Sequence, residues 1–185
     1  MASLPETFNK IVSFLNKEQY AYLIIGGMAA GILGAPRMTQ DIDFCIFISD
    51  EEIKEFLSKA NKAGFDFNEK ETRKRIKETG AFKISYRECN VDFLIVSTDF
   101  EKEALARKQK INLYGIDAYF PTPEDLILFK VVPARHIDMS DIEKIIERHL
   151  GKLDKKYIMK WAQKLSDEAE NMQIYNTLKK LLKTS

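Results

Sequence analysis

Residues 26–47, GGMAAGILGAPRMTQDIDFCIF, join two adjacent glycines to a pair of aspartates through a short apolar segment. The apolar run AYLII before the glycines is typical of a buried strand, and MAAGILGA after them predicts a short helix that ends near Gly34. The aspartates then open a strand in which the side chains of one parity are all apolar: Ile42, Phe44, Ile46 and Ile48. The stretch therefore predicts a strand, a glycine turn, a helix and a second strand that begins with carboxylates.

The two aspartates, Asp41 and Asp43, are predicted to share one face of that strand, because side chains on one face repeat roughly every 6.5–7 Å. Two carboxylates held side by side are unfavourable unless a cation neutralises them, and hard divalent ions such as Mg²⁺ prefer oxygen ligands. Asp92 lies in NVDFLIVS, another strand that begins polar and becomes apolar. If the two strands are neighbours, three carboxylates meet, and such a set can hold two metal ions for in-line displacement at phosphorus. The simpler alternative is that Asp41 is a turn residue and Asp43 pairs with Arg37 or another basic residue.

The glycine pair, Gly26 and Gly27, has a chemical meaning of its own at this position. Backbone N–H groups at the start of a helix are free to bind a phosphate, and glycine leaves them accessible. A glycine pair is also common in ordinary turns, so it carries weight only together with the aspartates. The combined pattern of strand, GG, helix, R-x-T-x-D-x-D and a later V-D-F-L strand is much more specific than its parts.

The rest of the chain up to Pro121 reads as a mixture of helices and strands. The helical segments are residues 4–17, EEIKEFLSKANKAG with a cap at Ser49 or Asp50, and residues 100–108. The strand segments are a hairpin of AFKISYRE and NVDFLIVS that turns at Cys89 and Asn90, and KINLYGIDAYF, which turns at Gly115. The segment NEKETRKRIKE reads as a charged stretch between elements.

After Pro121 the pattern becomes helical throughout, in PEDLILFKVV, DIEKIIERHL, DKKYIMKWAQKL and EAENMQIYNTLKKLLK. We therefore expect an α/β (α+β) core over residues 1–120, with a mixed sheet flanked by helices. A helical C-terminal segment over residues 121–185 is expected to pack on this core and cover the cleft.

Composition narrows the class of protein. The chain has 185 residues, 45% hydrophobic and 31% charged, which suits a compact core with a solvated surface. A formal net charge of +1 gives no general attraction to nucleic acid, and no apolar run approaches the roughly 18 residues of a membrane span. The start, MASLPETFNKIVSF, lacks secretory-signal features, and two cysteines do not make a disulfide framework. A cytoplasmic protein is the simplest expectation.

One segment, KETRKRIK at residues 70–77, is strongly basic. Its simplest interpretation is a solvated helix face or loop, and the alternative is a patch that holds the phosphates of an RNA acceptor. No aromatic residue is interleaved in it, which argues against a surface for stacking single-stranded bases.

The glycine pair and the three aspartates together resemble the DNA-polymerase-β-like nucleotidyltransferase superfamily. Within it, the pattern is similar to the small bacterial and archaeal group of AbiEii-type toxins and minimal nucleotidyltransferases. Their motif G-G-x-A followed by R-x-T-x-D-I-D is matched by Gly26, Gly27, Ala29, Arg37, Thr39, Asp41, Ile42 and Asp43, and the third aspartate by Asp92.

The C-terminal segment PEDLILFKVVPARHIDMSDIEKI also resembles this group, which has a lysine, an arginine and two aspartates on consecutive helices. The matching residues are Lys130, Arg135, Asp138 and Asp141. The resemblance implies that the lysine and arginine lie near the nucleotide phosphates, with Arg37 and Thr39 contributing. It implies a possible acid, base or orienting role for the two aspartates.

The resemblance implies an enzyme that uses two Mg²⁺ or Mn²⁺ ions, held by Asp41, Asp43 and Asp92, to transfer a nucleoside monophosphate from an NTP to an acceptor. RNA such as a tRNA end, a protein hydroxyl and a small molecule all stay open as acceptors. A toxin role with an antitoxin partner also stays open, and the oligomeric state cannot be read from the sequence. The alternative is a nucleotide-binding or protein-interaction module that has lost the reaction. Gly27, where many members have serine, favours that alternative, and the intact carboxylates oppose it.

Overall fold

The computed structural model describes residues 3–183. The strands are β1 (Ala21–Ile25), β2 (Ile42–Phe47), β3 (Ala81–Tyr86), β4 (Cys89–Ile95), β5 (Gln109–Leu113) and β6 (Ile116–Phe120). The helices are α1 (Leu4–Lys17), α2 (Gly26–Leu33), α3 (Asp50–Lys62), α4 (Glu69–Thr79), α5 (Asp99–Ala106), α6 (Pro123–Val131), α7 (His136–Arg148), α8 (Lys155–Glu168) and α9 (Gln173–Leu181).

A four-stranded mixed sheet in the order β1-β2-β4-β3 organises the structure. Strands β1 and β2 are antiparallel, β2 and β4 are parallel, and β3 and β4 are antiparallel. Strands β5 and β6 form a separate antiparallel hairpin. The predicted α/β class with a mixed sheet flanked by helices is confirmed.

One face of the sheet forms the aromatic part of the core. Phe44, Phe93 and Phe82 lie opposite one another on three adjacent strands. The ring centroids of Phe44 and Phe93 are 5.3 Å apart and those of Phe82 and Phe93 are 4.8 Å apart, both stacked. Phe56 of α3 packs edge-on against Phe82 and Phe93. Because side chains alternate along a strand, this packing directs the neighbouring residues Asp43 and Asp92 to the opposite face.

The segment around the glycine pair folds as predicted. Strand β1 ends at Ile25, α2 starts at Gly26 and is capped by Gly34, and β2 begins at Ile42. The apolar parity of β2 is buried, since Ile42, Phe44 and Ile46 are 0% exposed. Asp41 lies immediately before the first residue of the strand rather than within it.

Two details of the sequence interpretation were wrong. The charged stretch NEKETRKRIKE is helix α4, capped by the Asn68 side chain and ended by Gly80 in the left-handed conformation (φ 64°). Its periodicity was obscured because the helix buries only two side chains, Thr72 and Ile76. The β3–β4 hairpin turns at residues 87–88, where Arg87 has φ 55°, so Cys89 already belongs to β4 and is buried.

The helices after residue 121 are anchored to the preceding part by a buried polar cluster. The carboxylate of Asp125, 0% exposed, accepts hydrogen bonds from Arg107 (3.1 Å), Thr122 (2.7 Å) and Tyr157 (2.6 Å). Trp161 of α8 packs against Phe100 of α5 with ring centroids 5.6 Å apart. Division of the chain into units 1–120 and 121–185 stays a prediction. Within residues 3–183, no helix has the length and apolar character that crossing a bilayer demands.

Candidate active site

The three predicted carboxylates lie at the start of β2 and at the middle of the neighbouring strand β4. Asp43 and Asp92 occupy directly opposite positions on these parallel strands, and both are half-buried. Burial and the negative charge of Asp92 raise the pKa of Asp43 above its ordinary value, while the N–H of Gly27 and the charge of Lys130 oppose the shift. Asp41 stands next to them at the start of β2, where its carbonyl accepts a hydrogen bond from the Thr39 hydroxyl at 3.1 Å.

The glycine pair is in direct contact with this carboxylate group. Gly26 has φ +64°, which L side chains rarely adopt, and a Cβ at this position would overlap the Asp43 carboxylate. The backbone N–H of Gly27 also acts on this carboxyl group, because it opposes the rise in the pKa of Asp43. A Cβ on Gly27 would lie 2.9 Å from both the Arg37 Nη2 and the Thr39 Oγ1 atoms. The space beside residue 27 is therefore already filled by the ends of Arg37 and Thr39.

A chain of alternating charges faces the glycine turn from α6 and α7. Arg37 makes a bidentate pair with Asp141, with Nε–Oδ1 3.0 Å and Nη2–Oδ2 3.1 Å. Lys130, with a side chain only 4% exposed, bridges Asp141 (2.8 Å) and Asp138 (3.3 Å). Arg135 continues the chain with a bidentate pair to Asp138, at 2.6 Å and 3.1 Å. The three predicted cations are thus held together by the two predicted aspartates.

Within this network, the carboxylates of Asp138 and Asp141 contact the side chains of cationic residues. Asp138 and Asp141 are 1% and 3% exposed, and every short contact of their carboxylates described above is to a cation. Burial raises the pKa of Asp138, but hydrogen bonds from Arg135 and Lys130 and their charges outweigh it, so the pKa lies below its ordinary value. A carboxylate stabilised in its ionised form is a weak base. Both residues are paired with cations of the site, and their orienting role stays a prediction.

Two of the carboxylates, the glycine turn and most of the charged network border one cavity of about 550 Å³. Its wall contains nine of the predicted residues: Gly26, Gly27, Arg37, Thr39, Asp41, Asp43, Lys130, Arg135 and Asp138. Asp141 lies behind this wall, where it holds Arg37 and Lys130. Asp92 lies next to Asp43 but outside the set of lining residues.

The cavity also has a wall that the sequence interpretation missed. Thr98, Phe100 and Glu101 from the start of α5 line it, together with Phe129 and Leu165. The Glu101 carboxylate, in a residue 8% exposed, is held through one oxygen by the N–H groups of Ser97 (2.7 Å) and Thr98 (2.8 Å). The motif T-x-x-E over residues 98–101 is a capping box. The sequence motif is enough to predict this helix cap, but it does not predict that the cap lines the cavity.

The oxygen donors of the carboxylates are of the kind that a divalent cation prefers, although the three side chains do not form a compact cluster. Within residues 3–183, no three or more His, Cys, Asp or Glu side chains form a group that could hold a metal ion. Asp92 is instead paired with Lys83 of β3, with Nζ–Oδ2 3.3 Å. Asp43 and Asp92 nevertheless present adjacent oxygens, and their mutual repulsion is a cost that a cation would relieve.

Comparisons with known proteins agree with the fold described above. Solved structures with the same fold include ANT(2")-Ia in complex with adenylyl-2"-tobramycin. The two chains are 14% identical, the TM-score is 0.63, and the match covers 91% of this chain and 99% of ANT(2")-Ia. They also include the lincosamide antibiotic adenylyltransferase LnuA, lincomycin-bound, at 12% identity and a TM-score of 0.52, covering 75% and 94%. An antigenic nucleotidyltransferase-like protein from Paracoccidioides brasiliensis matches at 18% identity and a TM-score of 0.54, covering 95% and 92%.

At these identities the structural matches establish the fold alone. None of the curated protein sequences matches the chain. The profile of the family described as "Nucleotidyltransferase of unknown function (DUF6036)" matches residues 2–184. These findings support the polymerase-β-like nucleotidyltransferase superfamily, while the AbiEii-type subgroup stays a prediction. The chain therefore belongs to the nucleotidyltransferase family DUF6036.

Proposed function

We propose that the protein transfers a nucleoside monophosphate from an NTP to an acceptor hydroxyl and releases pyrophosphate. The observation that carries this proposal is the close packing of the glycine turn on the carboxylates: a Cβ at Gly26 would overlap the Asp43 carboxylate, and Asp43 lies directly opposite Asp92. This reaction needs a phosphate-binding turn beside a group of carboxylates, and Asp41 and Asp43 line the same cavity as the turn.

The triphosphate binds between the glycine turn and the charged network. The backbone at the start of α2 supplies N–H groups around Gly26 and Gly27, where a helix N-terminus favours an anion. Lys130 and Arg135 face the same cavity and neutralise the phosphates, with Arg37 and Thr39 beside Gly27. Arg135, whose side chain is 69% exposed, has the freedom to leave Asp138 for a phosphate, whereas Lys130 is fixed by two carboxylates.

In the transfer step the acceptor oxygen attacks the α-phosphorus of the NTP. A new phosphorus–oxygen bond forms, the bond to the oxygen that bridges to the β-phosphorus breaks, and pyrophosphate leaves. The acceptor proton passes to a carboxylate, for which Asp92 beside Asp43 is the proposed base. Asp41, Asp43 and Asp92 would hold two Mg²⁺ or Mn²⁺ ions, which supply electrostatic stabilisation of the charge on the transferring phosphate.

A small hydroxyl-bearing molecule is the proposed acceptor. Two proteins of the same fold are described with antibiotic ligands, adenylyl-2"-tobramycin and lincomycin. The cavity of about 550 Å³ is in the size range of small-molecule sites, roughly 300–1,000 Å³. The basic run at residues 70–77 lies on α4 outside this cavity, and two of its cations pair with Glu69 and Glu78 along the helix. An antitoxin partner and a cytoplasmic location stay predictions.

The experiment is transfer of label from α-³²P-labelled NTPs in the presence of Mg²⁺. Each of the four NTPs is incubated with three acceptor pools: small hydroxylated compounds including aminoglycosides and lincosamides, total RNA, and proteins. We expect labelled small molecules and stoichiometric pyrophosphate with the wild type, and neither with Asp43→Asn or Asp92→Asn. Asp167→Asn, on the exposed surface of α8, is the matched control.

The outcomes separate the reaction from the acceptor. Transfer by Asp43→Asn at the wild-type level would disprove the assignment of the active site to these carboxylates. Label on RNA or protein, lost in Asp43→Asn, would keep the reaction and replace the proposed acceptor class. A folded wild type that binds NTP but labels no pool would favour the binding-module alternative.

A further inference from the structure

Lys83 lies beside the carboxylates at a position that the proposed reaction does not use. It stands directly opposite Asp92 in the β3–β4 pairing, as Asp43 does in the β2–β4 pairing. The Lys83 Nζ is 3.3 Å from Asp92 Oδ2, and the two side chains are 40% and 27% exposed. A cation and two carboxylates therefore occupy neighbouring positions across three strands.

Lys83 is the cation in direct contact with the proposed metal ligands. Among the ion pairs of the described residues, its pair with Asp92 is the one that involves Asp41, Asp43 or Asp92. Lys130 influences Asp43 through its charge, but its own short contacts are to Asp138 and Asp141. In the absence of metal, the ammonium group of Lys83 therefore partly neutralises the negative charge of Asp92 on this face of the sheet.

We propose that Lys83 competes with a divalent cation for Asp92 and thereby sets the metal affinity of the site. This inference rests on the proposed function, because it takes the same carboxylates as metal ligands. An ion next to Asp92 would lie within several ångströms of the Lys83 ammonium, and repulsion between a divalent and a unit charge at that distance in water-like surroundings weakens binding about tenfold.

Lys83 has the freedom that such competition requires. Its side chain is partly exposed and its ion pair is a single contact, so it can turn to solvent when a metal binds. By contrast, Lys130 is 4% exposed and held by two carboxylates, so it stays in place. The competing cation thus pairs with Asp92, whereas the fixed cation acts on Asp43 through its charge.

The test is binding of Mn²⁺ alone, measured from the free-ion signal by electron paramagnetic resonance. The proteins are the wild type, Lys83→Met, Lys83→Arg and the control Lys110→Met. The control removes an exposed lysine of β5 that pairs with Asp117 of β6, outside the four-stranded sheet. We expect Lys83→Met to bind Mn²⁺ about tenfold more tightly, the Coulomb repulsion being absent. Lys83→Arg keeps the charge and should bind like the wild type, as should Lys110→Met.

A second readout distinguishes competition from a structural role. Without metal, Lys83→Met should melt at a lower temperature than the wild type, because Asp92 loses the cation with which it pairs. With saturating Mn²⁺ the difference should disappear or reverse. A lysine that only supports the fold would lower the melting temperature equally under both conditions, which would overturn the inference.

The affinities separate this inference from the function on which it rests. Equal or weaker Mn²⁺ binding by Lys83→Met, with a wild type that binds, would overturn the role of Lys83 and leave the metal site intact. Absence of Mn²⁺ binding in both proteins would overturn the metal site and the competition together. Tighter binding in Lys83→Met that is lost when Asp43→Asn is added supports both.

Discussion

Gly26 lies against Asp43 so closely that a single added methyl group on residue 26 would overlap the carboxylate. The turn that is proposed to bind phosphate and the residue that is proposed to bind metal are therefore packed as one unit. The backbone N–H of the next residue, Gly27, opposes the rise in the pKa of the same carboxyl group. Any change that moves one of these groups should move the other.

The first prediction concerns Gly26→Ala. The left-handed conformation costs an L residue about 1–2 kcal/mol, and the overlap with Asp43 should add about 1–3 kcal/mol, as overpacking does. Gly80→Ala is the matched control, because Gly80 has the same φ of +64° and nothing within 4 Å of an added Cβ. Urea unfolding should show the larger loss for Gly26→Ala. Equal losses in the two variants would contradict the close packing.

The second prediction concerns the pH dependence of Asp43→Asn in metal-free protein. The pKa of Asp43 is raised in the folded state by burial and by Asp92, so its ionisation opposes folding. Its contribution to stability is fully present below the unfolded pKa of about 3.9 and is lost as pH rises through the folded pKa. Asp43→Asn should therefore be more stable than the wild type at pH 7.

The difference between Asp43→Asn and the wild type should shrink as the pH falls toward 4. Asparagine keeps the size of the side chain and one acceptor oxygen, so the comparison removes the ionisation of residue 43. The free energy of unfolding from urea titrations at several pH values measures the effect. A variant less stable than the wild type at pH 7 would contradict the assigned direction of the pKa shift.

The third prediction concerns Asp141→Asn. The Asp141 carboxylate pairs with both Arg37 and Lys130, and Lys130 is nearly fully buried. Removing one partner of a buried pair leaves a poorly compensated charge and typically costs about 3–5 kcal/mol. Glu78→Gln, which breaks the exposed pair with Lys74, should cost less than about 1 kcal/mol. Similar melting temperatures for Asp141→Asn and Glu78→Gln would argue against a structural role for the network.

The position of the carboxylates could be predicted from the sequence because hydrophobic periodicity fixes which side chains share a face. The apolar parity from Ile42 to Ile48 placed Asp43 on the opposite side of the strand from the core, and the structure agrees. The pairing of Arg37 with Asp141, 104 residues apart, could not be read in this way. It depends on how α7 packs against the glycine turn, which local patterns do not encode.

Lys83 was missed for a more specific reason. The sequence interpretation turned the β3–β4 hairpin at Cys89 and Asn90, a register that places Arg87 opposite Asp92. The observed turn at residues 87–88 places Lys83 there instead. Arg87 is a bulky residue at φ 55°, and turn signals favour glycine or asparagine for such a conformation. The absence of an ordinary turn signal therefore shifted the register and hid the ion pair.

Calorimetric titration of the four NTPs, with and without Mg²⁺, tests the assigned site most directly. The wild type should bind at least one NTP, more tightly with Mg²⁺, and Asp43→Asn should lose the dependence on Mg²⁺ while Asp167→Asn keeps it. The same affinity in Asp43→Asn as in the wild type, or NTP binding by the wild type that ignores Mg²⁺, would contradict a metal-dependent nucleotide site at Asp43.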